Sequence, residues 1–157
     1  MDGQINTVYL SLGSNLGNRE ENISSAIEKL NKIGKVSKVS KLFESEPFGF
    51  ISDNLFYNIC LEFKTELSPL NLLEATQTIE SEIGRKKKSV NRVYESRLID
   101  IDILFFNKEI IELELLTIPH PQIQFRKFVL SPLNDIAPSF RHPLIRKDIS
   151  TLLLELD

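Results

Sequence analysis

Residues 97–106 run Arg97-Leu98-Ile99-Asp100-Ile101-Asp102-Ile103-Leu104-Phe105-Phe106. A short segment this rich in isoleucine and aromatic residues forms a buried β-strand. Successive strand side chains point to opposite faces, so Asp100 and Asp102 share one face, their Cα atoms roughly 6.5–7 Å apart. Ile99, Ile101, Ile103 and Phe105 take the other, which needs an apolar cover. The chain must therefore build a sheet packed against helices, and must find a use for two neighbouring anions. Like charges on an apolar strand repel each other and cost free energy unless something positive lies between them. Hard carboxylate oxygens on a rigid strand suit Mg²⁺, and paired ions of this kind sit about 3.5–4 Å apart. An edge strand whose polar face is simply solvated is the other reading.

The segment before this strand bears on that choice. Between Arg85 and Arg97 stand Arg85, Lys86, Lys87, Lys88, Arg92 and Arg97 against Glu95 alone, in a chain whose net charge is −3. The rest of the chain is thus acidic. A concentrated basic segment on an acidic body argues for one local polyanionic ligand and against a nucleic-acid partner. Its position beside two aspartates favours a phosphate ligand with metal, whereas a charge run alone would read as a solvated loop.

A chain of 157 residues, 41% hydrophobic and 26% charged, fits one globular domain over 1–157, large enough to bury a core. No apolar run approaches the ~20 residues that span a bilayer. No basic, apolar leader opens the sequence, so a cytoplasmic location with no membrane partner is expected. Cys60 is the only cysteine. It excludes an internal disulfide or a cysteine-based zinc site, and its place among apolar strand residues marks a buried structural thiol.

Along the chain, Ile5 to Leu12 reads as a strand ending in the turn-rich Gly13-Ser14-Asn15-Leu16-Gly17-Asn18. Asn18 can cap a helix carrying Ile23, Ala26, Ile27, Leu30 and Ile33, with Gly34 as its stop. Val36 to Ser45 reads as a second strand. Leu55 to Thr65 reads as a third, with Tyr57, Ile59, Leu61 and Phe63 on one face and Phe56, Asn58, Cys60 and Glu62 on the other. Ser68-Pro69 opens a helix ending at Gly84, with Leu72, Leu73, Thr76, Ile79 and Ile83 on one side. After the aspartate strand, Asn107-Lys108 predicts a hairpin turn and Glu109 to Leu113 a returning strand. The proline-punctuated remainder predicts short helices and loops, closing in a helix near Ile149 to Leu156. The order β-α-β-β-α-β predicts an α+β, ferredoxin-like core: an antiparallel sheet with helices on one face, plus a C-terminal extension.

At this point the residues resemble the 6-hydroxymethyl-7,8-dihydropterin pyrophosphokinase family. The resemblance rests on Leu12-Gly13-Ser14-Asn15-Leu16-Gly17, Glu46-Pro47-Phe48-Gly49, Phe56-Tyr57-Asn58, Gln77, Glu80, Gly84 and Arg85. It continues through Arg97-Leu98-Ile99-Asp100-Ile101-Asp102, Ile118-Pro119-His120-Pro121, then Arg126, Phe128, Val129 and Leu130. It covers nearly the whole chain in order. The aspartate strand together with the Pro-His-Pro element is its most specific part.

The resemblance implies transfer of the terminal diphosphate of ATP to the hydroxymethyl group of the reduced pterin, releasing AMP, in folate biosynthesis. It implies Asp100 and Asp102 as ligands of two Mg²⁺ ions and Arg85 and Arg97 as catalytic contacts to the phosphates. Lys87, Tyr94, Gln77, Glu80, Ile103, Thr117, His120, Pro121 and Arg126 map onto positions around ATP. Ser45, Glu46, Phe48, Phe56, Asn58 and Phe128 map onto positions around the pterin. A flat polar heterocycle suits aromatic faces and amide partners, and an asparagine inside an apolar strand needs a polar partner. The family implies a monomer acting on small molecules.

Two departures stand out. Many members carry Trp-Gly-Pro-Arg where this chain has Tyr94-Glu95-Ser96-Arg97, and proline where it has Glu46. Two other readings remain open at this stage. One is a metal-dependent kinase or nucleotidyltransferase acting on another small alcohol; the other is a ferredoxin-like module that binds a nucleotide without chemistry.

Overall fold

The computed structural model describes residues 4–45, 55–85 and 98–156, with Arg85 described by its backbone. The sheet strands are β1 (Asn6–Ser14), β2 (Lys35–Val39), β3 (Phe43–Ser45), β4 (Phe56–Thr65) and β5 (Asp100–Phe106). Helix α1 (Arg19–Leu30) joins β1 to β2, and α2 (Pro69–Arg85) lies between β4 and β5. After β5 come β6 (Ile111–Glu112), β7 (Thr117–Ile118), α3 (Lys127–Ile136) and α4 (Ile149–Leu156).

The sheet runs β2-β4-β1-β5, antiparallel throughout, with β3 also paired to β4. This is the order the split β-α-β connection demands. Asn18 caps α1 as expected, its Oδ1 accepting from Glu21 N at 3.0 Å. Ser68 caps α2 through Asn71 N at 3.3 Å, with Pro69 in the first helical position. One sheet face buries Val8, Leu10, Leu12, Ile59, Leu61, Phe63, Ile101 and Ile103 against Ile23, Ala26 and Leu30 of α1. Leu72, Ile79 and Ile83 of α2 complete this core.

Helices α1 and α2 share one face as expected, and the structure places the C-terminal extension, whose position the sequence left open. The opposite face carries a second core in which Tyr9, Cys60, Leu104 and Phe105 meet Val129, Leu130 and Leu133 of α3 and Ile149 and Leu152 of α4. The C-terminal extension is thus a third layer. Phe105 joins this core, not the α1/α2 core as simple alternation implies. Tyr9 pairs with Phe105 and Leu10 with Ile103, which leaves Leu104 without a partner residue. Such a bulge shifts the alternation by one position, so Phe105 stays with Leu104 and Phe106 turns to the α1/α2 side.

Four boundaries also differ. β1 continues past Leu12 to Ser14. The 36–45 stretch splits into β2 and β3, because the Ser40 hydroxyl takes over a ladder bond, accepting from Cys60 N at 2.9 Å. Helix α1 ends at Leu30 with Asn31 N donating to Ile27 O, so Gly34 is not its stop. The Asn107 turn forms at φ 51°, but it is sewn to β1 through Thr7 N and the Asn107 side chain at 2.9 Å. The returning segment, β6, pairs with β7 instead of β5. The outer edge of β5 therefore stays available to other groups.

At the far end of the sheet Glu62, 8% exposed, accepts from Ser37 Oγ at 2.8 Å and Tyr9 Oη at 3.0 Å. Burial by itself raises its pKa. The bonds from Ser37 and Tyr9 and the charges of Lys64 and Lys38 outweigh that, leaving the carboxyl below its ordinary 4.5. A depressed native pKa stabilises the fold above the unfolded value, and that contribution is lost as pH falls through the native one. Glu62→Gln is therefore expected to cost about 1–2 kcal/mol at pH 7. Its stability should fall less steeply than the parent's below about pH 4.5, as urea titrations over that range would show. Parallel profiles for the two proteins would refute this.

Candidate active site

The strand register sets out the site. Gly13 of β1 pairs with Asn58 of β4 on one side and Asp100 of β5 on the other. One step along, Ser11 pairs with Cys60 and Asp102. Two parallel rows, Asn58–Gly13–Asp100 and Cys60–Ser11–Asp102, thus cross three strands on one face. Strands are spaced about 4.7–4.9 Å apart, so Asn58 and Asp100 lie about 10 Å apart through Gly13.

On the β4 side, Asn58 is 3% exposed. Its Nδ2 donates to Ser45 Oγ at 2.9 Å, the partner that a buried amide requires. Phe56 opens β4 two residues earlier, half-buried. Gly13 leaves room for both: a Cβ there would stand 2.9 Å from Asn58 Oδ1 and 3.7 Å from Phe56 Cδ1. Helix α3 brings half-buried Phe128 over this face, next to Val129, whose carbonyl accepts from buried Cys60 Sγ at 3.5 Å. Burial pushes the Cys60 thiol far above its ordinary pKa, against a smaller lowering by Ser11. The residue is structural, as expected.

On the β5 side, Asp100 and Asp102 are half-buried. His120 reaches the same strand through its backbone N–H, which donates to Leu104 O at 3.0 Å. Its Nδ1 accepts from Gln122 N at 3.1 Å, so the neutral ring carries its proton on Nε2, free to donate. Burial lowers the imidazole pKa; Asp102 opposes this and Arg126 adds to it. Arg126 also lies 5.5 Å from the Phe128 ring centroid, linking the aspartate side to the aromatic side. On the outer edge of β5, Ile101 N donates to Glu80 Oε2 at 2.7 Å. Gln77, one turn earlier on α2, is exposed, as are Thr117 and Pro121. The Ile103 side chain is in the core at 4% exposure, so a ligand there would meet its backbone.

Ser45, Phe56, Asn58 and Phe128 thus gather on one side of the rows, and Asp100, Asp102, His120 and Arg126 on the other. Glu46, Phe48, Lys87, Tyr94 and Arg97 lie outside the described residues, as does the Arg85 side chain. Gly13 and Ser11 are the residues that sequence reading missed. Their signal was present in small residues at 11 and 13, alternating with Leu10 and Leu12.

Among the described residues no group of three or more His, Cys, Asp or Glu converges as a metal cage. The donor set fits a cation that takes one or two carboxylates and completes its shell from water and substrate phosphates. That is how Mg²⁺ binds.

The sheet order and the split β-α-β connections define a ferredoxin-like α+β protein. The model of the 7,8-dihydro-6-hydroxymethylpterin-pyrophosphokinase (HPPK) family matches residues 9–138. The chain belongs to this family and is an enzyme of the pyrophosphokinase class. It is 42% identical to the 2-amino-4-hydroxy-6-hydroxymethyldihydropteridine pyrophosphokinase of Aquifex aeolicus, over 91% of this chain and 88% of that one. It is 39% identical to the folic acid synthesis protein FOL1 of Dictyostelium discoideum, over 96% of this chain and 22% of that longer one. A crystal structure of Plasmodium falciparum HPPK-DHPS superposes with a TM-score of 0.75 at 19% identity. That match covers 98% of this chain and 45% of the other. No helix among the described residues is long and apolar enough to cross a membrane.

Proposed function

We propose that this protein transfers the terminal diphosphate of ATP to the hydroxymethyl group of 6-hydroxymethyl-7,8-dihydropterin, giving AMP and the pterin diphosphate. It does so as a monomeric single catalytic domain, 1–157, in the cytoplasm. The observation that carries the reading is the Asn58–Gly13–Asp100 row. An amide suited to a heterocycle edge and a carboxylate suited to phosphate chemistry share one face, with no side chain between them.

The hydroxymethyl oxygen attacks the β-phosphorus of ATP and loses its proton. The bond from that phosphorus to the oxygen bridging the α-phosphate breaks, and AMP departs with the oxygen. Phe56 and Phe128 hold the pterin faces, and Asn58, fixed by Ser45, meets its polar edge; Glu46 and Phe48 are assigned as further contacts to the pterin from the family resemblance. Gln77, Glu80, the Ile103 backbone, Thr117, Pro121 and Arg126 surround the nucleotide, and His120 donates Nε2–H to a phosphate oxygen. Arg85 and Arg97, with Lys87 and Tyr94, meet the phosphates, where arginine's planar fork is the better match. Two Mg²⁺ ions held by Asp100 and Asp102 would supply the charge neutralisation that phosphoryl-type transfer requires.

Incubation with Mg-ATP, with and without the pterin, tests this. AMP that forms only with the pterin is the expected product; ADP would replace the reading with ordinary phosphoryl transfer. Gly13→Ala checks the geometry. Its methyl group would displace the Asn58 amide from Ser45, and the KM for pterin should rise roughly tenfold. The KM for ATP should stay within about a factor of two. An unchanged pterin KM would show that the row does not hold the ring.

A further inference from the structure

A second polar cleft lies at the other end of β5, about 20 Å from Asp100 along the strand. It has a volume of about 270 Å³ and is lined by Lys108, Arg141, His142, Pro143 and Arg146. Three of these are exposed cations on a chain of net charge −3, so general basicity does not account for them. Among the described residues the nearby carboxylates are engaged elsewhere. Glu155 pairs with Lys147 at 2.8 Å, Asp148 accepts from Thr151 N at 2.8 Å, and Glu109 accepts from Asn107 at 3.5 Å. Asp148 bridges Arg141 through the backbone and also attracts its guanidinium, while no ion pair holds Lys108 or Arg146 among the described residues.

The loop bearing the two arginines is held tightly. His142 is 3% exposed, its ring 5.3 Å from that of Phe105. Its Nδ1 accepts from both Leu144 N and Ile145 N at 3.1 Å. His142 O accepts from Arg146 N at 2.8 Å, and His142 N donates to Lys147 O at 2.9 Å. This closure puts Arg146 at φ 69°, a backbone conformation that glycine adopts freely and a long side chain does not. Lys108 Nζ is steered from the other wall, 5.6 Å from the Phe140 ring centroid. Arg146, strained beside a second arginine and a lysine and with no carboxylate partner among the described residues, makes a costly surface unless an anion completes it.

We propose that this cleft binds a small phosphorylated anion, separately from the aspartate site. Paired guanidinium forks match phosphate oxygens. The volume falls below the ~300–1,000 Å³ of pockets for drug-sized ligands, which fits a phosphate or diphosphate group and not a whole nucleotide.

The test is titration of the isotope-labelled full chain with inorganic phosphate and with diphosphate, without Mg²⁺, followed by backbone amide shifts. Sodium chloride at matched ionic strength is the control. Saturable shifts at Lys108 and residues 141–147 are expected, with diphosphate tighter than phosphate if both arginines engage. Arg146→Gly should weaken this binding at least tenfold while leaving the thermal midpoint unchanged or raised, since glycine suits that φ. Arg141→Ala should weaken it similarly. Shifts confined to residues near Asp100 and Asp102, shifts reproduced by chloride, or unaltered binding in both variants would each overturn the proposal.

Discussion

Asp100→Ala and Asp102→Ala are each expected to lower turnover by about three orders of magnitude or more, the scale on which removal of a transition-state electrostatic group acts. The fold should survive. Both side chains are half-buried on the face of the sheet opposite the α1/α2 core, and removing one of two neighbouring anions relieves repulsion. Steady-state AMP formation measured beside thermal unfolding separates the two effects. A variant that keeps activity within tenfold of the parent would remove the pair from the chemistry. A variant that loses activity and unfolds early would mean that the carboxylates serve the sheet instead.

Gly34→Ala should have the largest effect on stability. The position lies between α1 and β2, where the chain passes close over β4. An added Cβ would sit against the carbonyl oxygen of Lys64 and 2.5 Å from Phe63 Cζ. Neither neighbour can yield cheaply. One is backbone near the end of β4, paired with Thr7 on one side and Lys35 on the other, and the other is a ring with 0% exposure in the main core. Overpacking of this kind costs about 3 kcal/mol, or roughly 6–12 °C in the thermal midpoint for a chain of this size. Catalytic constants at low temperature should be little changed, because β2 carries none of the site residues. A midpoint within about 2 °C of the parent's would show that the β2–β4 contact opens easily.

The same glycine shows where sequence reasoning stopped. Its place after an amphipathic helix suggested a helix stop, yet α1 ends earlier at Leu30, and Gly34 is small because β4 lies beneath it. That reason is a contact between segments thirty residues apart, and no local pattern encodes it. Phe105 illustrates a similar limit. Alternation assigns it a face, but the unpaired Leu104 shifts the phase, and a bulge is visible only once β1 is laid beside β5. The 109–113 segment has strand character, but its partner was settled by competition for edges, which left it to β7.

Local physics nevertheless carried a long way. The helix caps at Asn18 and Ser68, the alternation of β4 and the two aspartates on one face all follow from dihedral preference and the period of the chain. The resemblance of the aspartate strand and the Pro-His-Pro element was enough to suggest the family. What the sequence determined by itself is therefore the family, the residue types that suit the proposed chemistry and the elements that hold them, because side-chain type and spacing are local properties. Only the tertiary structure decided that the second sheet face is covered by α3 and α4. It alone set Gly13 as the gap between Asn58 and Asp100, and brought His142 to close the loop that presents Arg146. Those outcomes depend on register and on which surfaces bury each other, and both are fixed by long-range packing once the strands have paired.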